Sequence, residues 1–226
     1  SSALNYKSGD AFLKEAKGRS NKMAFFIDSS GRSYTLLANS LPSARGQGEP
    51  LTGRLTPPIG AEFIDVVMGD DEQLVILSSD AGYGFISTLG DLQSKTKSGK
   101  HAITLSKEAK TMRLTKVQNL ESDYLAVITN RARLLIFQVS ELPHLSKGKG
   151  NKLINIKTDD FVAKEEFLIG LCIIKENQKL RVEYGNGKKH KQYSFSDLVN
   201  FTSHRARKGL TVPGVHGKAL GIDAID

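Results

Sequence analysis

The sequence predicts an all-β fold, a propeller-like array of four-stranded blades of which about four are complete. Three observations predict it: a hairpin phrase that recurs four times, a basic glycine loop that follows each hairpin at near-constant spacing, and a poverty of helix signals. The hairpins come first. Met23–Ile27 meets Asp28-Ser29-Ser30-Gly31 and then Ser33–Leu37. Gln73–Leu77 meets Ser78–Gly82 and then Tyr83–Ile86, and Tyr124–Ile128 meets Thr129–Ala132 and then Leu134–Phe137. Leu180–Tyr184 meets Gly185-Asn186-Gly187 and then Gln192–Phe195. In each, a β-branched and aromatic run, a turn-forming cluster and a second such run spell a hairpin.

A further strand is expected before each hairpin, at Ala11–Leu13, Phe63–Met68, Met112–Leu114 and Phe167–Ile174. After each comes a leucine and a polar, basic loop closing on Gly48, Gly99, Gly150 or Gly209, spaced 51, 51 and 59 residues apart. Glycine suits a chain that must turn sharply between blades, because it takes positive φ without a Cβ clash. Repeats are expected at roughly 9–56, 57–106, 107–157 and 158–212, with a tail at 213–226. A sandwich with irregular loops is the plainer alternative, but a sandwich does not repeat a basic glycine loop in phase with its hairpins.

The 226 residues, 39% hydrophobic and 25% charged, have the composition of a folded globular chain and not of a disordered one. The longest apolar stretch, Phe167–Ile174, is too short to cross a bilayer as a helix, and no signal peptide is read. The opening Ser1-Ser2-Ala3 without methionine reads as a fragment. Cys172 stands alone in an apolar run, which excludes a disulfide scaffold and is compatible with a reducing cytoplasm.

Lys plus Arg number 32 against 24 Asp plus Glu, a net charge of +8. The surplus gathers on the loops. The candidate phosphate-binding residues are Arg45 in the first; Lys95, Lys97 and Lys100 in the second; and Lys147, Lys149 and Lys152 in the third. The fourth repeat adds Lys188, Lys189, Lys191, Arg205, Arg207 and Lys208. Gly46, Gly48, Gly99, Gly148, Gly150 and Gly209 are the loop glycines beside them. Acids cluster instead at Asp65, Asp70–Glu72, Asp159, Asp160, Glu165 and Glu166. Such segregation points to a polyanion, duplex DNA before an anionic membrane. The pairs Gly46-Gln47-Gly48 and Gly148-Lys149-Gly150 lack the third glycine and following helix of a dinucleotide site. His101, His144, His190, His204 and His216 have no metal-ligand spacing, and the tyrosines other than Tyr6 lie in or beside strands, so neither metal nor catalysis is read here.

The segments Asp28-Ser29-Ser30-Gly31-Arg32-Ser33-Tyr34, Leu41–Gly53, Ser79-Asp80-Ala81-Gly82-Tyr83-Gly84-Phe85 and Leu145–Lys152 together resemble the C-terminal domain of the A subunit of bacterial DNA topoisomerase IV. The resemblance covers nearly the whole chain and weakens after about Asp159. It implies a β-pinwheel, a propeller-shaped array with strands exchanged between neighbours. The parent would have five or six blades, a first blade being missing before Asn5–Asp10. The related gyrase domain carries a Gln-Arg-Arg-Gly-Gly-Lys-Gly box for tight DNA wrapping. Ser43–Gly48 and Leu145–Gly150 look like degenerate versions of it, which puts wrapping in doubt. The resemblance further implies a non-catalytic DNA-binding part of an ATP-dependent type II topoisomerase, with ATP and Mg2+ used elsewhere in the parent. The partners would be duplex DNA, the B subunit, and the remainder of the A subunit, with no membrane, in the cytoplasm. A protein-interaction propeller and a gyrase-type wrapping domain are the alternatives. The first would show Trp-Asp endings, and this chain has no tryptophan. A further protein partner on the acidic segments is left open.

Overall fold

The computed structural model describes residues 11–43 and 45–226. Its strands are β1 (Met23–Asp28), β2 (Arg32–Leu37), β3 (Phe63–Met68), β4 (Leu74–Ser78), β5 (Tyr83–Thr88), β6 (Lys100–His101), β7 (Thr115–Lys116) and β8 (Tyr124–Thr129). They continue as β9 (Arg133–Gln138), β10 (Asn151–Lys152), β11 (Leu168–Ile174), β12 (Lys179–Tyr184), β13 (Lys189–Ser194), β14 (Leu210–Thr211) and β15 (Ala219–Ile225). Two short helices, α1 (Leu89–Leu92) and α2 (Thr158–Val162), lie in the connections.

The hairpins β1–β2, β4–β5, β8–β9 and β12–β13 are the four phrases of the sequence. The first shows how a turn cluster works. The Asp28 carboxylate accepts from the amides of Ser30 and Arg32 and from the Tyr34 hydroxyl at 2.6 Å, so Gly31 turns at φ 91°. Burial and that carboxylate hold the Tyr34 phenol above its ordinary range.

Each sheet is completed from elsewhere in the chain. The orders are β3-β1-β2-β6, β10-β5-β4-β7, β11-β8-β9-β14 and, with three strands among the described residues, β13-β12-β15. A hairpin's first strand pairs with the strand that follows that hairpin. Its second strand pairs with a two-residue strand that follows the next hairpin's glycine loop. This is the strand exchange of a pinwheel. The strands expected before the second and fourth hairpins, β3 and β11, therefore belong to the sheets of the hairpins before them. The spacing is the same in either arrangement, so periodicity could not separate the two. Ala11–Leu13 and Met112–Leu114 form no strand. Around the latter, backbone donors are satisfied outside a ladder: the Met112 amide bonds the Ser78 carbonyl and the Leu114 amide the Asp65 carboxylate.

The inner strands β3, β7, β11 and β15 converge on an axial cavity of about 540 Å³, to which they contribute Ile64, Thr115, Gly170 and Ile222. The second hairpin strands thus lie outward. Charged groups also reach the axis, where Lys14 pairs with the buried Asp65 at 3.0 Å.

Among the described residues, three of the four apolar clusters lie between blades. Phe25 and Ile27 pack with Val75 and Leu77; Ile76 and Ile86 with Leu125 and Phe137; Ala126 and Ile136 with Leu180 and Val182. Successive side chains of a strand point to opposite faces, and in the two middle hairpins, β4–β5 and β8–β9, both faces meet neighbouring blades. That is why those strands read as unbroken apolar runs, as in any sheet covered on both sides, whereas β12 in the last hairpin alternates, with Arg181 and Glu183 half-exposed. The free face of the first blade is closed by Leu55 from its own loop, over Ala24, Phe26 and Met68. Cys172 is half-buried on β11, and burial foremost pushes its thiol up to about 12, so it stays a protonated packing group at neutral pH.

Gly99 (φ 73°), Gly150 (φ 77°) and Gly209 (φ 75°) each press on the main chain of a second hairpin strand, at Ser33, Gly84 and Leu134. A Cβ on Gly99 would stand 2.7 Å from the Ser33 carbonyl and 2.6 Å from the Tyr34 ring. Gly99→Ala is therefore expected to lose about 1–2 kcal/mol to the left-handed backbone alone, with more from displacement of β6, read as a shift of the urea midpoint. Gly48 is also left-handed but meets nothing within 4 Å, since no hairpin precedes β1 among the described residues. Gly46 departs from the expectation: it lies outside the left-handed region, and its amide closes a turn on the Ser43 carbonyl at 2.9 Å.

Candidate nucleic-acid interface

The basic loops run along the outward edges of the blades. In the second loop the Ser94 amide donates to Thr35 Oγ1 at 3.0 Å, Arg32 donates to the carbonyls of Ser98 and Gly99, and β6 then pairs with Arg32 and Ser33. The third repeats the path on β5. The Ile86 amide bonds the Pro143 carbonyl, the Leu145 amide bonds that of Ile86, and β10 pairs with Tyr83 and Gly84. The fourth follows β9, from the Ser203 amide on Ile136 to β14 on Arg133 and Leu134.

The loops are also bonded to one another in series. The Thr56 amide, at the end of the first loop, donates to the Lys97 carbonyl at 2.8 Å. Gly148 donates to Ala102 and accepts from Thr104, and the amides of Asn155 and Ala206 join Arg207 and Leu153 across the third and fourth loops, both at 2.9 Å. The four loops make one main-chain-linked row on the outside of the array.

None of the thirteen candidate cations has a carboxylate within 4.0 Å among the described residues. The acids find other partners: Asp70 takes Lys22, Asp160 and Glu165 take Arg131, and Glu166 takes Arg133. The loop charge is thus left uncompensated, and phosphate is the ligand such a row suits. Asp71, Glu72, Glu121 and Glu176 stand on turns that join an inner strand to the next hairpin, at the end of the blades away from the hairpin turns.

The candidates are not equivalent. Arg45, Lys95, Lys97, Lys147, Lys149, Arg207 and Lys208 are exposed, Lys149 with its ammonium 4.1 Å from the centroid of the Tyr83 ring. Three are drawn into structure. Lys100 is half-buried and donates to the Asp91 carbonyl at 2.7 Å, Lys152 is half-buried beside Asn155, and the Arg205 guanidinium donates to the Lys152 carbonyl at 2.6 Å. Lys188 is exposed in the fourth hairpin turn. Lys189 and Lys191 are also exposed; they lie opposite the buried Tyr184 and Val182 in register, on β13, which is an edge strand among the described residues. Charges so placed guard an exposed edge against pairing with another chain, which is a second duty for residues read as phosphate ligands. Ala44 and Tyr6 lie outside the described residues. Sequence reasoning passed over Arg32, Tyr83 and Arg133, which touch the loops directly; their shared place, opening the second strand of a hairpin, was the available signal.

Stacked blades with exchanged strands and basic loops on their outward edges define a β-pinwheel. The description "DNA gyrase C-terminal domain, beta-propeller" matches residues 73–117 and 123–164. The A subunit of DNA topoisomerase 4 from Pseudomonas aeruginosa is 47% identical over 93% of this chain, and that from Escherichia coli K12 is 43% identical over 94%. The chain spans 28% of the length of each. The structure of the E. coli ParC C-terminal domain superposes with a TM-score of 0.87 at 41% identity, over 98% of this chain and 88% of that one. The gyrase A C-terminal domain, at 14% identity, shares the fold with a TM-score of 0.73, over 99% of this chain and 72% of that one. The chain belongs to the family of C-terminal domains of the topoisomerase IV A subunits.

Proposed function

We propose that this domain binds duplex DNA without regard to sequence and bends it over the outward row of loops, taking no part in the chemistry itself. The observation that carries the reading is the linked row of loop cations without acidic partners. Bending 20–30 base pairs by 40–90° costs roughly 1–6 kcal/mol, which several phosphate contacts can offset through counterion release. Contacts to phosphate position a duplex but read no bases. In the parent enzyme the domain would hold a DNA segment near the cleavage gate and bias the topology on which ATP-dependent decatenation and supercoil relaxation act. ATP and Mg2+ would be used in other parts of that enzyme, in the cytoplasm.

The test is anisotropy of a labelled duplex of about 40 base pairs across a salt series, with unrelated sequences compared. About six phosphate contacts would weaken binding by roughly 10³-fold between 50 and 200 mM salt, equally for every sequence. Absent or salt-independent binding would overturn the reading.

A further inference from the structure

The residue that opens the second hairpin strand falls at one place in every blade: Arg32 in β2, Tyr83 in β5, Arg133 in β9 and Lys189 in β13. In three blades its side chain reaches the incoming loop beside the left-handed glycine. Arg32 donates from Nε and Nη2 to the carbonyls of Ser98 and Gly99, at 2.9 and 3.0 Å. The Tyr83 ring supports the ammonium of Lys149, next to Gly150. Arg133 donates to the carbonyl of Lys208, next to Gly209, and from Nη2 to that of Asn155 at 3.0 Å. Different side chains thus do one task at one position of the repeat. For Lys189 no loop is present to hold among the described residues.

We infer that this position is a loop clamp: Arg32, Tyr83 and Arg133 are positioning residues that fix the basic loops, and so aim the neighbouring lysines, without themselves meeting phosphate. Arginine suits the task because its planar fork spans two acceptors in fixed geometry, which a lysine ammonium does not. The effect on DNA rests on the proposed function; the clamp itself does not.

Arg32 is the residue to test, because Arg133 is also paired with Glu166. Arg32→Gln, Arg32→Lys and Lys97→Gln would be made in the full chain. Each would be followed by amide exchange of residues 94–101 and by binding of the 40-base-pair duplex across the salt series. Both Arg32 variants are expected to exchange the loop amides faster and to bind about three- to tenfold more weakly, the entropy of re-ordering the loop. Their plots of log affinity on log salt should run parallel to that of the unaltered chain, since no phosphate contact is lost. Lys97→Gln should leave exchange unchanged and lower the slope by about one. A slope lowered by about one in Arg32→Gln and restored in Arg32→Lys would make Arg32 a phosphate ligand and overturn the clamp. Unchanged exchange in both Arg32 variants would overturn it too. Faster exchange in a chain that does not bind DNA would uphold the clamp and sink the proposed function alone.

Discussion

Reversing Lys147 and Lys149 to glutamate is expected to weaken duplex binding about 100-fold at low salt and to lower the slope of log affinity on log salt by about two. Both side chains are exposed, in a segment pinned by the Gly148 bonds to Ala102 and Thr104 and by the Tyr83 ring. A pinned cation has little entropy left to lose when phosphate arrives, and a charge-assisted hydrogen bond is worth about 1.5–3 kcal/mol. The loss should shrink as salt rises, since screening removes the repulsion that the new carboxylates add. Reversing Lys188 and Lys189 is expected to cost far less. Both are exposed, but Lys188 stands in a hairpin turn and Lys189 on an edge strand, neither of them in the linked row. Equal losses in the two double variants would argue for diffuse attraction to net charge and against a track.

Glu166→Ala is expected to destabilise the fold by about 3–5 kcal/mol, through a guanidinium left buried without its counter-charge. Glu166 is 3% exposed at its side chain and Arg133 11%. The carboxylate takes Arg133 through both oxygens and the Thr129 hydroxyl at 3.0 Å. Burial opposes its charge, but the Arg133 donors and Thr129 outweigh it and hold the carboxyl below its ordinary value of 4.5. A carboxyl depressed in the folded state contributes stability that is fully present above its unfolded value and is lost as pH falls through the folded one. Urea midpoints of the unaltered chain should therefore fall below about pH 4.5, and Glu166→Gln should lack that part of the acid limb. An Ala variant as stable as the unaltered chain would show that the pair contributes nothing net. Because Arg133 also bonds the carbonyls of Asn155 and Lys208, the same variant should loosen the third and fourth loops.

The middle hairpins were legible because both of their faces are covered: Val75-Ile76-Leu77 and Leu134-Leu135-Ile136-Phe137 have no solvent side on which to place a polar residue. The candidate interface was legible as charge, since cations that no fold contact uses must stand where a polyanion can reach them. Three of its members differ in their surroundings for a reason invisible in one dimension. Lys100 and Arg205 look like Lys97 and Arg207 in the sequence, yet their charged ends are taken by carbonyls of Asp91 and Lys152, which the turn of the loop brings within reach, and Lys152 is half-buried beside Asn155.

The sequence by itself determined the repeat, the hairpins, the segregation of charge and the family resemblance, because each depends on residue type and short spacing. The tertiary structure decided which hairpin each remaining strand joins, that strands as short as Lys100–His101 complete a sheet, and which cations stay free. Most of those outcomes depend on hydrogen bonds between segments far apart in the chain, such as β1 with β3, Arg32 with Gly99 and Lys152 with Arg205. A local pattern carries no record of a partner that only the folded chain brings near.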